Sequence, residues 1–93
     1  MSKIGLAITV SGRVQGVGFR WMTKMVADKL HIVGQVKNLD NGDVYIEAVG
    51  EPEAMTKFTA AVKASPTPSG IVDDYRETPL NDLPNFSRFN VTG

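Results

Sequence analysis

No cysteine occurs in the 93 residues, which excludes a disulfide framework, a thiolate metal site and a cysteine nucleophile together. Histidine is almost as scarce: His31 is the single copy, so a site built on several imidazoles cannot be assembled, and its place near a helix end favours interaction with the helix dipole. Ten Lys plus Arg balance ten Asp plus Glu. A chain without net charge has no overall field with which to hold a nucleic-acid backbone or an anionic membrane, and any anion site must be local. Long hydrophobic runs are missing too, since Gly5 and Thr9 interrupt the N-terminal stretch before a secretory or membrane-spanning segment develops. With 42% apolar residues, the expectation is one domain over residues 1–93 with a modest core, cytoplasmic, and monomeric because no extended apolar stretch asks for a partner.

Ile4, Leu6, Ile8 and Val10 fall on every second position, the pattern of a strand with one buried face, ended by Ser11 and Gly12. Met22, Met25, Val26 and Leu30 then recur at helical spacing and predict an amphipathic helix over about Trp21 to Ile32. After Gly34, two strands, Gln35 to Leu39 and Val44 to Val49, flank Asp40-Asn41-Gly42, a hairpin signal because Asn and Gly accept positive φ. Glu51-Pro52-Glu53 opens a second helix with proline in its first turn and a buried stripe of Met55, Phe58 and Val62, fraying by Ala64. The loop Ser65 to Gly70 leads to a strand from Ile71 to Glu77, with adjacent Asp73 and Asp74 as solvated edge charges. Thr78 to Pro84 then connects to an edge strand from Phe86 to Val91. This order predicts an α+β, ferredoxin-like βαββαβ sandwich: an antiparallel sheet with two helices on one face and a short extra C-terminal strand. The crossover makes strands one and two parallel, with strand three between them, so Gly12 to Arg20 and Asn38 share one edge of the sheet.

The segment Ser11-Gly12-Arg13-Val14-Gln15-Gly16-Val17-Gly18-Phe19-Arg20 turns the chain from strand to helix through three glycines. Such a loop can converge its N–H groups into an anion-binding nest, and the following helix adds its unpaired amides and positive dipole end. Arg20 can offer a planar guanidinium to two phosphate oxygens. On these grounds alone a tight structural turn beside a surface arginine fits equally well. The spacing matches neither the Gly-x-x-x-x-Gly-Lys-Ser/Thr loop nor the Gly-x-Gly-x-x-Gly fingerprint of nucleotide sites.

Gly12 to Arg20 resembles the acylphosphatase signature Gly-x-Val-Gln-Gly-Val-x-Phe-Arg at every fixed position, and Gly34-Gln35-Val36-Lys37-Asn38, with the turn through Gly42 to Val44, is similar to the second block of that family. The resemblance spans nearly the whole chain and implies the same sandwich. It implies hydrolysis of small acyl phosphates without cofactor or metal. Within that reaction Arg20 is the phosphate-binding catalytic arginine and Asn38 orients the attacking water, while the amides of Gln15, Gly16, Val17, Gly18 and Phe19 form the cradle, a place for a phosphate or sulfate ion. Gln35, Asn41 and His31 depart from the common pattern and bear on stability or substrate preference.

Other readings compete. Asn38 suits a strand end that assists a turn, and Arg13 suits either phosphate assistance or an exposed loop. An RNA-binding module of this layout needs aromatics on the open sheet face, where strand one offers Gly5, Ala7 and Thr9 and strand three only Tyr45. A non-catalytic anion-binding or carbamoyl-phosphate-handling module, of the kind built into larger maturation enzymes, is the remaining alternative.

Overall fold

The structure, a computed structural model, describes residues 2–93, so that Met1 lies outside it. Among the described residues the chain forms β1 (Ile4–Arg13), α1 (Phe19–Lys29), β2 (Val33–Asn38), β3 (Val44–Gly50), α2 (Pro52–Lys63), β4 (Ile71–Pro79) and β5 (Phe89–Thr92). The sheet order is β4-β1-β3-β2-β5, so β3 lies between β1 and β2, as the crossover argument requires. The first four of these strands pair antiparallel, whereas β5 joins the outer side of β2 in parallel and makes the sheet mixed.

The core between helices and sheet contains Ile8 and Val10 of β1, Val36 of β2, Val44 and Ile46 of β3, Met55, Phe58 and Val62 of α2, and Phe89 of β5. Phe58 and Phe89 meet with ring centroids 6.0 Å apart at 60°, a tilted arrangement that the ring quadrupoles favour. Helix α2 follows its sequence signals closely. Glu51 is the N-cap, Pro52 stands in the first turn and Ala64 is the C-cap.

Helix α1 presents only part of the expected stripe: Val26 and Leu30 pack partly buried against the core. Its buried residues are Phe19, Thr23 and Ala27, an i, i+4, i+8 line, while Met25 is exposed and Met22 half-buried. The helix starts two residues earlier than its methionines suggest, and Phe19 fixes the inward face. Thr23 and Ala27, invisible to a count of large apolar side chains, then let the helix lie close to the sheet.

Strand boundaries also shift, β2 running from Val33 to Asn38 rather than from Gln35 to Leu39. β1 continues past Val10 to Arg13 because Ser11 to Arg13 stay paired with β4, through a register shift between Ser11 and Gly12. β4 runs on to Pro79, opposite Leu6; as an edge strand it loses no interior ladder bond to that proline. β5 starts at Phe89 rather than Phe86, since Phe89 is the aromatic that fills the core. At the far end of β1, Ile4 is exposed and Gly5 is buried, the reverse of simple alternation, because Leu80 and Leu83 of the β4–β5 connection lie over Gly5.

Candidate active site

The loop between β1 and α1 is built on two left-handed residues: Gly16 at φ 75° and Gly18 at φ 80°. An L-residue at such a position costs about 1–2 kcal/mol, so the two glycines fix the path. Gly18 is also the N-cap of α1, which has no side-chain cap and no acidic residue in its first turn. The first backbone bond after the loop is Met22 N–H to Gly18 C=O at 3.0 Å. Among the described residues the amides from Gln15 to Phe19 donate to no protein acceptor. Consecutive N–H groups without a protein acceptor thus run into the uncapped, positive end of a helix, an arrangement suited to an anion.

These groups open on a cavity of about 170 Å³ lined by Val14, Gly16, Gly18, Phe19, Arg20, Trp21, Asn38 and Val91. Arg20, in the first turn of α1, donates from Nη1 to the Thr92 carbonyl at the end of β5, 3.1 Å away. One of its five donors is thereby tied down, which orients the fork and leaves the other donors for a ligand. Asn38 is the last residue of β2, on the same face as the buried Val36. Its Oδ1 is buried and, among the described residues, accepts no hydrogen bond. An orphaned acceptor inside a protein is costly. Its place in the cavity wall makes it a group waiting for a donor such as water.

Five of the seven sequence-predicted site residues thus line one cavity: Gly16, Gly18, Phe19, Arg20 and Asn38. Gln15 and Val17 do not. Val17 packs against the core, and the Gln15 side chain turns away, with Nε2 donating to the carbonyls of Leu39 and Asp43, both at 2.9 Å. Those carbonyls belong to the β2–β3 hairpin, whose turn is closed by Leu39 N–H to Asp43 O at 2.8 Å and by Asp43 N–H to Asn41 Oδ1 at 3.0 Å. Gln15 therefore couples the loop to the turn that follows Asn38. On the other flank the buried Thr67 donates from Oγ1 to the Val17 carbonyl at 3.2 Å. A residue 50 positions away in sequence thus holds the back of the loop, and no local pattern announces it. Trp21 and Val91 in the cavity wall were missed as well. Arg13 is exposed and His31 lies at the far end of α1, remote from Arg20. Asp73 and Asp74 are solvated on the outer strand, as expected.

Among the described residues no group of three or more His, Asp or Glu side chains is arranged to hold a metal ion, and no helix is long and apolar enough to cross a membrane. The Acylphosphatase family model matches residues 6–91. An acylphosphatase of Lacticaseibacillus paracasei is 55% identical over 93 residues, covering all of both chains. The crystal structure of acylphosphatase from Bacillus subtilis superposes with a TM-score of 0.92 at 41% identity, covering 97% of this chain and 99% of that one. Full-length HypF, solved in a phosphate- and nucleotide-bound form, contains a similar unit at 26% identity and TM-score 0.87, matching 99% of this chain but 12% of HypF. Both motif blocks lie inside the matched span, and the likeness extends over the whole length of named relatives, so the chain belongs to the acylphosphatase family.

Proposed function

We propose that this protein hydrolyses the carboxyl–phosphate bond of acyl phosphates without a metal ion, the loop amides and Arg20 binding the phosphoryl group and Asn38 orienting the attacking water. The observation that carries the reading is the buried, unpartnered Oδ1 of Asn38 in the same cavity as the Arg20 guanidinium and the uncapped start of α1.

A carboxylate leaving group, with a solution pKa of roughly 4, departs without a proton, so no general acid is required. What phosphoryl transfer asks of the protein is alignment and stabilisation of charge on the equatorial oxygens, which fixed amides and a guanidinium supply. The Asn38 carboxamide has no useful basicity, but its oxygen accepts a hydrogen bond from water and holds it in line with phosphorus. Water oxygen bonds to phosphorus as the P–O bond to the acyl carboxylate breaks. The carboxylate leaves with the bonding pair, and a water proton passes to a phosphoryl oxygen, giving orthophosphate.

Steady-state hydrolysis of benzoyl phosphate tests the proposal. The wild-type protein turns over, unaffected by a chelator. Arg20→Ala loses both competitive inhibition by inorganic phosphate and turnover, with the fold intact by circular dichroism. Asn38→Ala keeps phosphate inhibition and loses about 3 kcal/mol of transition-state stabilisation in kcat. Near-normal turnover by Asn38→Ala would remove the water-positioning role. The similarity to a small part of HypF favours a second reading, a passive anion-binding or carbamoyl-phosphate-handling unit. It predicts no turnover of any acyl phosphate by the wild-type protein.

A further inference from the structure

The cavity that holds Arg20 and Asn38 also carries apolar side chains, two of which stay in contact with solvent. Trp21, the residue after Arg20 on α1, is 58% exposed, and Val91 on β5 is 38% exposed; both line this cavity, with Val14 completing the apolar wall. The single tryptophan of the chain is therefore spent on surface at the rim of the anion site rather than in the core. A large aromatic kept in water beside convergent polar groups is the usual composition of a ligand site.

In-line displacement decides which part of a substrate reaches that rim. Attacking water and leaving carboxylate lie on opposite sides of phosphorus. With water at the buried Asn38 Oδ1, as proposed above, the acyl group points away from that oxygen, and Trp21 and Val91 are the exposed apolar residues of the cavity wall that can meet it. Trp21 follows Arg20 in the first turn of α1, and the side chains of both line the cavity. Charge is the second discriminator. Among the described residues no Lys, Arg, Asp, Glu or His lines the cavity apart from Arg20, so an acyl group carrying a second charge finds no partner there once the phosphoryl group has taken the guanidinium.

Resting on the acyl-phosphate chemistry proposed above, we infer that Trp21 is the acyl-group contact and that this enzyme selects acyl phosphates whose acyl portion is uncharged and apolar, aromatic ones foremost. The test compares kcat/KM for benzoyl and acetyl phosphate in the wild type, Trp21→Phe and Trp21→Ala. The wild type prefers the benzoyl compound. Trp21→Ala loses about tenfold on it, the scale of one aromatic contact, and less than about twofold on acetyl phosphate. Trp21→Phe retains most of the preference, and inhibition by inorganic phosphate stays within about twofold in both variants. Equal losses on the two substrates in Trp21→Ala, or no wild-type preference, would overturn the assignment while leaving the hydrolase intact. A wild type that cleaves neither substrate would instead remove the hydrolase. A second measurement then decides on the contact itself: Trp21 fluorescence should respond to benzylphosphonate and not to methylphosphonate, and equal responses would refute it.

Discussion

Replacing Gln15 by alanine removes both hydrogen bonds from Nε2 to the Leu39 and Asp43 carbonyls and with them the direct tie between the loop and the hairpin that follows Asn38. Each such bond contributes about 1 kcal/mol net. The two carbonyls are not orphaned, because Leu39 O still accepts from Gly42 N–H at 3.2 Å and Asp43 O from Leu39 N–H at 2.8 Å. The expected loss is therefore about 1–2 kcal/mol rather than the larger penalty of two buried, unpaired acceptors. At roughly 4–8 °C per kcal/mol for a domain of this size, Tm should fall by roughly 4–16 °C. Activity should fall further than stability explains. At a temperature where the variant is still fully folded, kcat/KM for benzoyl phosphate should drop by about 10- to 100-fold, since misplacement on the order of 1 Å between cradle and water-holding group costs about that much. Gln15→Glu sharpens the test. It preserves shape but sets a carboxylate against two carbonyl oxygens and puts negative charge beside an anion site, so it must be worse than alanine in both thermal unfolding and turnover. An alanine variant within about 0.3 kcal/mol of wild type with unchanged kcat/KM, or a glutamate variant no worse than alanine, would refute the coupling.

Thr67→Val keeps the volume of a buried side chain but removes its donor to the Val17 carbonyl; denaturant unfolding should show a loss of about 1 kcal/mol, and weakened inhibition by inorganic phosphate should accompany it if the back of the loop is held there. The two tyrosines should titrate late. Burial, a hydrogen bond to Glu47 and that carboxylate's charge push Tyr45 up to about 12, and burial followed by the corresponding bond and charge of Glu77 pushes Tyr75 up as well. Below pH 10 both folded and unfolded chains keep these phenols protonated and stability is independent of them. Above it the unfolded chain loses the protons first, so stability falls as pH rises from 10 through 12. Absorbance titration of folded against urea-unfolded protein checks this, and folded-state titration of both near 10 would contradict it.

How far the sequence reaches depends on where the determining contact lies. Helix α2 was legible because its signals are local: the first-turn proline, the acidic entry and the i, i+3, i+7 stripe of Met55, Phe58 and Val62 all survive in the structure. Helix α1 was legible only in part: Val26 and Leu30 do pack on the core, but Phe19, Thr23 and Ala27 rather than the methionines form its most buried line. A rule that counts only large apolar residues passes over Thr23 and Ala27, whose smallness is what lets the helix approach. The site divides in the same way. Gly16, Gly18 and Arg20 occupy one continuous segment, and Asn38 reaches them through a crossover that strand pairing dictates, so spacing and topology together foresee their meeting. Gln15 was foreseen only as a backbone amide. The work of its side chain is fixed by carbonyls 24 and 28 residues on, and such a pairing exists only once the hairpin has been folded beside the loop. The loop is tied on both flanks, by its own Gln15 side chain reaching the carbonyls of the β2–β3 turn and by the Thr67 side chain reaching the Val17 carbonyl. A sequence motif of glycines names the flexible part of such a site, while its rigidity is supplied by Gln15 and Thr67, whose partners no linear spacing reveals.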